Sequence, residues 1–201
     1  MTANVRTATV DDRERVVATV VAAFRSDPAF RFFFPNDDEY ERQARLFAGY
    51  LFDKRVRHNS IWVTDNLEAA SLWSPPARLA NDPGGVHADA ERRSREAMLD
   101  GVGEESAGRL AAYDEAVNAV LPDDSGFWYL GVLALHPNHA GTGLGRRVMQ
   151  AGIDHARSVD EAAFLETSNP NNVGYYERFG WTVYASVEGA LPVDIWLLAQ
   201  S

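Results

Sequence analysis

The fold is set by residues 127–149, which read FWYLGVLALHPNHAGTGLGRRVM. Residues 128–135 are an apolar run between Gly126 and Pro137, which predicts a buried strand. Three glycines at alternate positions follow. Apolar residues then recur at helical spacing from Leu144 onward, with charged residues on the remaining arc. The predicted order is therefore strand, glycine turn and helix.

A glycine turn before a helix predicts an anion-binding site. The first backbone N–H groups of a helix have no intrahelical partner and carry partial positive charge. Glycines let a phosphate approach these donors, because no Cβ stands in the way. Arg146 and Arg147 add full positive charge at the start of the helix. The alternative interpretation is a tight turn that only connects a strand to a helix.

Two well-known phosphate loops fit this stretch poorly. The dinucleotide fingerprint needs a further glycine at the position of Arg146. The P-loop needs Gly-Lys followed by Ser or Thr, and that sequence is absent.

Composition and charge narrow the classes of function. A chain of 201 residues, 46% hydrophobic and 24% charged, suits a soluble globular protein of one domain. The net charge of −10 disfavours nucleic-acid binding and weakly favours cationic substrates such as protonated amines. The absence of cysteine excludes disulfides, thiol catalysis and cysteine-bound metal. With no apolar run of about 20 residues and no signal-peptide profile, we expect a cytoplasmic protein without a membrane span.

Six further strands are predicted around the central one, at 5–10, 60–64, 69–74, 163–167, 182–187 and 193–199. Thr9 and Asp12 form a plausible capping pair for the first helix. Residues 77–125 are the least regular part, with two predicted helices between turn signals. We therefore predict a single domain over 1–201 with a helical insertion at about 77–125.

The segment Phe30-Arg-Phe-Phe-Phe-Pro35 concentrates four aromatic side chains between two prolines. Such a cluster is usually core, and the alternative is the wall of a substrate pocket. Under that alternative Phe30 and Phe33 are candidate substrate-binding residues, together with Trp128 and Tyr129 at the start of the central strand.

Two motifs resemble the signatures of the GCN5-related N-acetyltransferases (GNAT family). The first is Gly141-x-Gly143-x-Gly145 after a strand. In the second, Asn169 is followed by Tyr176, then by Gly180 and the aromatic Trp181. Residues 5–12, the tryptophan strands, the middle insertion and residues 164–168 resemble puromycin N-acetyltransferase-like members. The chain departs from the family at Ala140, where Gln or Arg is usual.

The resemblance implies an α/β fold with a mixed, mostly antiparallel, splayed seven-stranded sheet and helices on both faces. It also implies acetyl-CoA as acetyl donor, no metal, and an amine of a small molecule, such as the aminonucleoside puromycin, as acceptor. No nucleic-acid or membrane partner is expected, and the choice between monomer and homodimer stays open.

The family's functional residues carry over to positions of this chain. Tyr176 is implied as the general acid that protonates the departing thiolate. Ordinary pKa values of ~8.5 and ~10 make that transfer uphill by only about 2 kcal/mol. Tyr176 could instead be a packed aromatic. The implied cofactor-binding residues are Leu133, Ala134, Leu135, Gly141, Thr142, Gly143, Leu144, Gly145, Arg146, Asn169, Asn172 and Tyr176.

The general base is less constrained by the sequence. The central strand has no carboxylate, so Glu166 at the end of a neighbouring strand is the candidate, with ordered water as the alternative. Asn169 and Asn172 could also cap the helix that follows them. His136 and His139 are interpreted as structural, and no metal site is predicted.

Two other functions remain compatible with the sequence. The acceptor could be a peptide or protein amine. The chain could also be an acetyl-CoA-binding sensor without transfer activity, which Ala140 favours and Tyr176 disfavours.

Overall fold

The computed structural model describes residues 4–76, 86–122 and 126–200, so residues 77–85 and 123–125 of the predicted insertion lie outside the described part. Seven strands form one sheet in the order β1-β2-β3-β4-β5-β7-β6. The pair β4–β5 is parallel and the other five pairs are antiparallel. The predicted fold class is therefore confirmed. The strands are β1 (Val5–Thr7), β2 (Ile61–Thr64), β3 (Ala69–Ser74), β4 (Phe127–Leu135), β5 (Ala162–Thr167), β6 (Thr182–Val187) and β7 (Ile195–Gln200).

Helices cover both faces of the sheet. They are α1 (Arg13–Ala23), α2 (Pro28–Phe33), α3 (Asp37–Val56), α4 (Val86–Val102), α5 (Glu104–Asn118), α6 (Leu144–Ser158) and α7 (Pro170–Glu177). One hydrophobic cluster joins the sheet to α1–α5. A second joins it to α6 and α7 and contains four of the five tryptophans. The two helices predicted within 77–125 are α4 and α5.

The first strand is shorter than the predicted 5–10. β1 ends at Thr7 because Thr9 begins a capping box with Asp12, whose carboxylate accepts from the Thr9 backbone N–H at 2.8 Å. Arg6 also holds Asp12 through two hydrogen bonds of 2.7 and 2.8 Å. The predicted capping pair is confirmed.

The aromatic segment after α1 is helical. Asp27 caps α2 by accepting from the backbone N–H groups of Ala29 and Phe30, and Pro28 occupies the first helical turn. This turn buries Phe30 and Phe33 against Phe47 of α3 and Tyr113 of α5. The rings are therefore core residues that also line a cavity described below, and their role in binding a substrate stays a prediction.

A β-bulge interrupts β4 at its centre. Leu72 pairs with Val132 and Trp73 with Leu130, so Gly131 is an extra residue on β4. Because of the extra residue, the even-numbered side chains of β4 point to one face of the sheet before the bulge and to the other face after it. Trp128 and Leu130 pack in the cluster beneath α6, whereas Val132 and Ala134 pack in the cluster of α1–α5.

The parallel strands β4 and β5 separate beyond the bulge. Their pairing covers Phe127–Leu130 of β4 and ends at the pair Leu130–Leu165. β4 nevertheless continues to Leu135, and β5 continues to Thr167 with β7 as its partner. The sheet is thus splayed at its centre.

Two contacts fix the position of α6 on the sheet. An added Cβ at Gly152 would lie 2.2 Å from the Trp73 ring, so only glycine permits this close approach. The Ser71 hydroxyl on β3 donates to the Val148 carbonyl at 2.7 Å. The N-terminus of α6 is consequently held beside the splayed ends of β4 and β5.

Within the described ranges, no helix combines the length and apolarity needed to span a bilayer.

Candidate active site

The first of two cavities lies over the glycine turn and has a volume of about 480 Å³; it is called the donor cavity here. Eight of the predicted cofactor-binding residues line it, and Tyr175 and Phe179 of the α7 region complete its wall. The eight are Leu133, Leu135, Gly141, Gly143, Gly145, Arg146, Asn172 and Tyr176.

The other four predicted residues lie elsewhere. Ala134 is fully buried in the opposite cluster, because the bulge turns it away from the cavity. Thr142 and Leu144 belong to the turn and to α6, and the Thr142 hydroxyl donates to the His139 carbonyl at 2.6 Å. Asn169 lines the second cavity and caps α7 by accepting from the Asn171 backbone N–H at 3.1 Å.

The glycine turn presents backbone donors without a side-chain cap. Gly141 and Gly143 have φ of +78° and +75°, in the left-handed region that favours glycine, and Gly143 is the N-cap of α6. An added Cβ at either position would meet nothing within 4 Å, so the space in front of the turn is open. Glycine is therefore favoured at these positions for two reasons: the backbone angles require it, and the missing side chain lets a ligand approach the backbone N–H groups.

Arg146 supplies a fixed positive charge at the mouth of the donor cavity. Its guanidinium carbon lies 4.8 Å from the centre of the Phe179 ring, in a cation–π contact. Helix donors, an open approach and this guanidinium together suit a phosphorylated ligand such as CoA.

The second cavity has a volume of about 600 Å³ and lies among α2, α3, α5 and the sheet; it is called the acceptor cavity here. Its aromatic wall includes the predicted residues Phe30, Phe33 and Tyr129. Trp128 is absent from its lining and packs on the other face of the sheet, 4.9 Å from the His155 ring. Adjacent residues of a strand point to opposite faces, so Trp128 and Tyr129 cannot share a site.

Charged side chains add to this aromatic wall. Three acids and three bases line the cavity, namely Asp27, Asp114, Glu166, Lys54, Arg55 and Arg95. Asp114 is 3.7 Å from Arg95, whereas Asp27 receives backbone N–H groups at the start of α2. Burial raises the pKa of both Asp27 and Asp114.

The two cavities meet at Tyr176. Four residues line both of them, namely Leu133, Leu135, Asn172 and Tyr176. Tyr176 is 7% exposed and packs at 6.3 Å, in an edge-on arrangement, against the fully buried Trp181. Its backbone carbonyl accepts from Phe179 and Trp181, which closes α7. The phenol is thereby fixed at the junction.

Burial raises the pKa of Tyr176, and the neighbouring Tyr175 and Glu166 raise it further. The hydroxyl is therefore a weaker acid than its ordinary pKa predicts, which corrects our expectation of a transfer uphill by only about 2 kcal/mol. Desolvation destabilises any anion at this junction, so a thiolate expelled there would also bind a proton more tightly than in water.

Glu166 is half-buried at the edge of the acceptor cavity. The Tyr129 hydroxyl donates to its Oε2. Burial raises the pKa of Glu166 to about 8, although Arg55 opposes the shift. A carboxyl group with this pKa can take up or release a proton near neutral pH.

Sequence reasoning missed several residues of the acceptor cavity, among them Arg55, Tyr113 and Ser168. Arg55 is 5% exposed, and the Tyr113 hydroxyl is 3.1 Å from the Ser168 hydroxyl at the end of β5. The sequence does indicate that Arg55 is buried, because it lies seven residues after Ala48 and three after Phe52 on the buried stripe of α3. Tyr113 shares helical spacing with Leu110 and Val117, which indicates a core position and gives no sign of a cavity. Across the described residues, no cluster of three or more His, Asp or Glu side chains suits a metal ion.

Comparison with known proteins identifies similar acetyltransferases. A model of the acetyltransferase (GNAT) family matches residues 87–181, which is just under half of the chain. A Corynebacterium glutamicum structure, described as histone acetyltransferase HPA2 and related acetyltransferase, is 21% identical. The match covers 100% of this chain and 96% of that one, with a TM-score of 0.69.

Two further structures cover almost the whole chain. The Drosophila melanogaster polyamine N-acetyltransferase, which forms N-acetylagmatine, is 14% identical, with coverage of 98% and 99% and a TM-score of 0.64. A mosquito arylalkylamine N-acetyltransferase-like protein is 15% identical, with coverage of 99% of both chains and a TM-score of 0.60. The chain thus has the GNAT fold. Residues 87–181 match the acetyltransferase (GNAT) family model, which is the family that the two signatures resemble.

Proposed function

We propose that this protein is an acetyl-CoA-dependent N-acetyltransferase that acts on the amine of a small molecule. The observation that carries the proposal is the junction of the two cavities at Tyr176, with phosphate-binding donors on one side and Glu166 on the other. The solved structures of polyamine and arylalkylamine N-acetyltransferases support an amine as acceptor.

The donor side suits acetyl-CoA. The backbone donors of residues 143–146 and the Arg146 guanidinium would bind the phosphates, as P-loops and dinucleotide folds use helix N-termini. Asn172 and the β4 residues Leu133 and Leu135 would orient the pantetheine arm along the splay. When bound, acetyl-CoA supplies an acetyl group activated as a thioester. Ala140 offers no side-chain contact here, so the backbone donors would provide most of the phosphate binding.

Tyr176 and Glu166 would divide the proton transfers. The Tyr176 hydroxyl stays protonated across the physiological pH range, so it can donate a proton to a leaving group at the junction. The Glu166 carboxylate would accept a proton from the ammonium group of the acceptor. An ammonium ion in the cavity also favours the ionised form of Glu166, because opposite charges stabilise each other.

The acceptor cavity favours an amine with an apolar or aromatic body. Phe30, Phe33 and Tyr113 form a wall on which such a body would pack, and Asp27 and Glu166 would attract the ammonium group. Its volume of about 600 Å³ is that of a small-molecule site. An aminonucleoside such as puromycin belongs to this class, and α2, α4 and α5 would set the preference among such amines.

A panel assay tests the proposal. Thiol release from acetyl-CoA is measured with arylalkylamines, puromycin, agmatine, spermidine and a lysine peptide as acceptors, and the acetylated product is verified by mass spectrometry. We expect turnover with at least one small amine and weak turnover with the peptide. Thermal stabilisation by acetyl-CoA with no thiol release from any amine would instead indicate a sensor, and preferred turnover of the peptide would indicate a protein acetyltransferase.

A further inference from the structure

A buried guanidinium lines the acceptor cavity. Arg55 is 5% exposed, and its Nη1 donates to the Leu51 carbonyl at 3.1 Å. Within the described part of the chain, its Nε has no hydrogen-bond partner. Gly131 lines the same cavity, and an added Cβ there would lie 2.5 Å from the Arg55 Nη2. The guanidinium therefore lies at the cavity wall beside the bulge, where the missing side chain of residue 131 leaves room for it.

The other two bases of the cavity each have a carboxylate partner. Lys54 is 3.0 Å from Glu91 of α4, and Arg95 is 3.7 Å from Asp114 of α5. Arg55 forms no ion pair with any carboxylate among the described residues, and the Leu51 carbonyl is its one acceptor there. A buried cation is costly unless opposite charge or hydrogen bonds replace its lost hydration. Arg55 therefore has donors that a ligand can use.

The acids of the same cavity are engaged elsewhere. The Tyr129 hydroxyl donates to the Glu166 carboxyl group, and Asp27 accepts from two backbone N–H groups at the start of α2. Burial lowers the pKa of Arg55 to about 10 and raises that of Glu166 to about 8. At neutral pH the arginine is therefore charged, while Glu166 carries little negative charge before a substrate binds. The missing partner of Arg55 is a group that the protein does not supply.

We propose that Arg55 binds an oxygen of the acceptor, so that the acceptor is an amine with a carboxylate or a carbonyl group on the neighbouring carbon: an amino acid or an amino-acid amide. This inference rests on the proposed function, because it names the class of acceptor for the same cavity. A guanidinium donates two parallel N–H bonds to a carboxylate and at least one to a carbonyl oxygen. The aromatic wall of Phe30 and Phe33 would then hold the side chain of the amino acid.

The distance along β4 suits such a substrate. Gly131 lies beside the guanidinium, and Leu133 lines both cavities at their junction. Two residues of a strand span roughly 7 Å. One hydrogen bond and the short path from a carboxyl oxygen to the amine of the same amino acid cover a similar length. The amine of an acceptor bound to Arg55 would thus lie near Tyr176.

The first test compares three amines that share one aromatic body. Phenylalanine carries a carboxylate, phenylalanine amide carries a carbonyl group, and phenethylamine carries neither. We expect kcat/KM for the acid or the amide to exceed that for phenethylamine by ~10-fold or more, and the order of the two shows which group Arg55 prefers. A kcat/KM for phenethylamine that equals or exceeds both would overturn the inference, as would turnover confined to amines without a carbonyl oxygen.

The second test removes the guanidinium. In Arg55→Met the advantage of the acid or the amide over phenethylamine should disappear, whereas kcat/KM for phenethylamine should change little. A purely structural role would instead lower all three values together. Arg45→Met is the matched control, because Arg45 lies on the exposed side of α3, 2.8 Å from Glu41, and it should keep the advantage. An advantage that persists in folded Arg55→Met would overturn the inference.

The third test does not need turnover and covers a misfolded Arg55→Met. Hydrocinnamate is phenylalanine without its amine, so it tests the oxygen site alone. Calorimetric titration should show that it binds the unmodified protein and binds Gly131→Ala more weakly, because the added methyl group takes the space of the guanidinium. No binding to the unmodified protein, or equal affinity in every folded variant, would overturn the inference.

The two proposals fail separately. If hydrocinnamate binds through Arg55 but no amine is acetylated, the oxygen site stands and the proposed function falls. If amines are acetylated and neither a carboxylate nor a carbonyl group gives any advantage, the proposed function stands and the role of Arg55 falls.

Discussion

At the scale of residues, burial determines the pKa values of the Tyr176 and Glu166 side chains. Both lie at the edge of the acceptor cavity, and burial raises the pKa of each. One result is a phenol that keeps its proton, and the other is a carboxyl group that titrates near neutrality. The same physical cause thus produces two titratable groups with different pKa values at one cavity.

Replacing Tyr176 by phenylalanine tests its proposed role as the general acid. We expect kcat to fall by ~10²-fold or more, because the hydroxyl proton is lost while the packed ring remains. The melting temperature should change little, since Phe fits the same contact with Trp181. Tyr184→Phe is the matched control, because Tyr184 lies exposed on β6, and its kcat should be unchanged. Undiminished turnover in Tyr176→Phe would remove Tyr176 from the mechanism.

Glu166 predicts an unusual pH dependence of stability. Its pKa is raised from 4.5 to about 8 on folding, so between these values the folded state binds more protons than the unfolded state. Stability should therefore fall as pH rises through this window, by up to about 1.4 kcal/mol per pH unit from this group. Glu166→Gln should remove the loss, so that its stability advantage grows from pH 5 to pH 8.

Urea unfolding of both proteins at several pH values measures this difference. Glu188→Gln, at an exposed loop position, is the control, and it should retain the fall in stability with pH that is ascribed to Glu166. A constant difference between Glu166→Gln and the unmodified protein would contradict the raised pKa.

At the scale of elements, the proposed site of donor binding is the junction of the glycine turn with α6. Gly143 adopts φ of +75° with open space around it, so alanine there would be strained without a steric clash. We expect Gly143→Ala to lower stability by about 1 kcal/mol and to weaken CoA binding further, because strain moves the first amides of α6. Unfolding and calorimetric titration with CoA measure the two effects.

Gly108 provides the control, because it is exposed within α5 and has no atom within 4 Å of an added Cβ. Gly108→Ala should leave CoA binding unchanged and raise stability by roughly 0.5–1 kcal/mol, since alanine favours helices. Equal CoA affinity in Gly143→Ala would exclude the turn from phosphate binding.

The elements themselves were largely predictable, because their apolar periodicities are local. The strand, turn and helix of residues 127–149 follow from spacing and glycine positions alone. The sequence did not reveal which of Trp128 and Tyr129, which lie on opposite faces of the sheet and so cannot line one site, meets the cavity. A strand's pattern shows that its faces alternate without showing which face meets the cavity, and the bulge at Gly131 depends on pairing with β3. Arg55 likewise becomes meaningful only when α3 is packed on that bulge.

At the scale of the whole molecule, the splay between β4 and β5 connects two cavities of different character. The donor side carries helix donors and Arg146, whereas three acids and three bases line the acceptor side, within a molecule of net charge −10. The local charges therefore favour an anionic ligand on the donor side, and the negative charge of the whole molecule favours a cationic acceptor.

The net charge of the molecule and the local donors at the glycine turn predict different effects of salt on the two substrates. A net negative molecule attracts a cationic amine over distances that salt screens, so kcat/KM for the amine should fall severalfold between low and high ionic strength. Steady-state rates at saturating acetyl-CoA, measured from about 20 to 300 mM salt, give this dependence. For acetyl-CoA, the global charge repels while the local donors attract, so its kcat/KM should change less or rise with salt. An amine kcat/KM that does not respond to salt would show that the charges lining the cavity, rather than those of the whole molecule, govern capture of the acceptor.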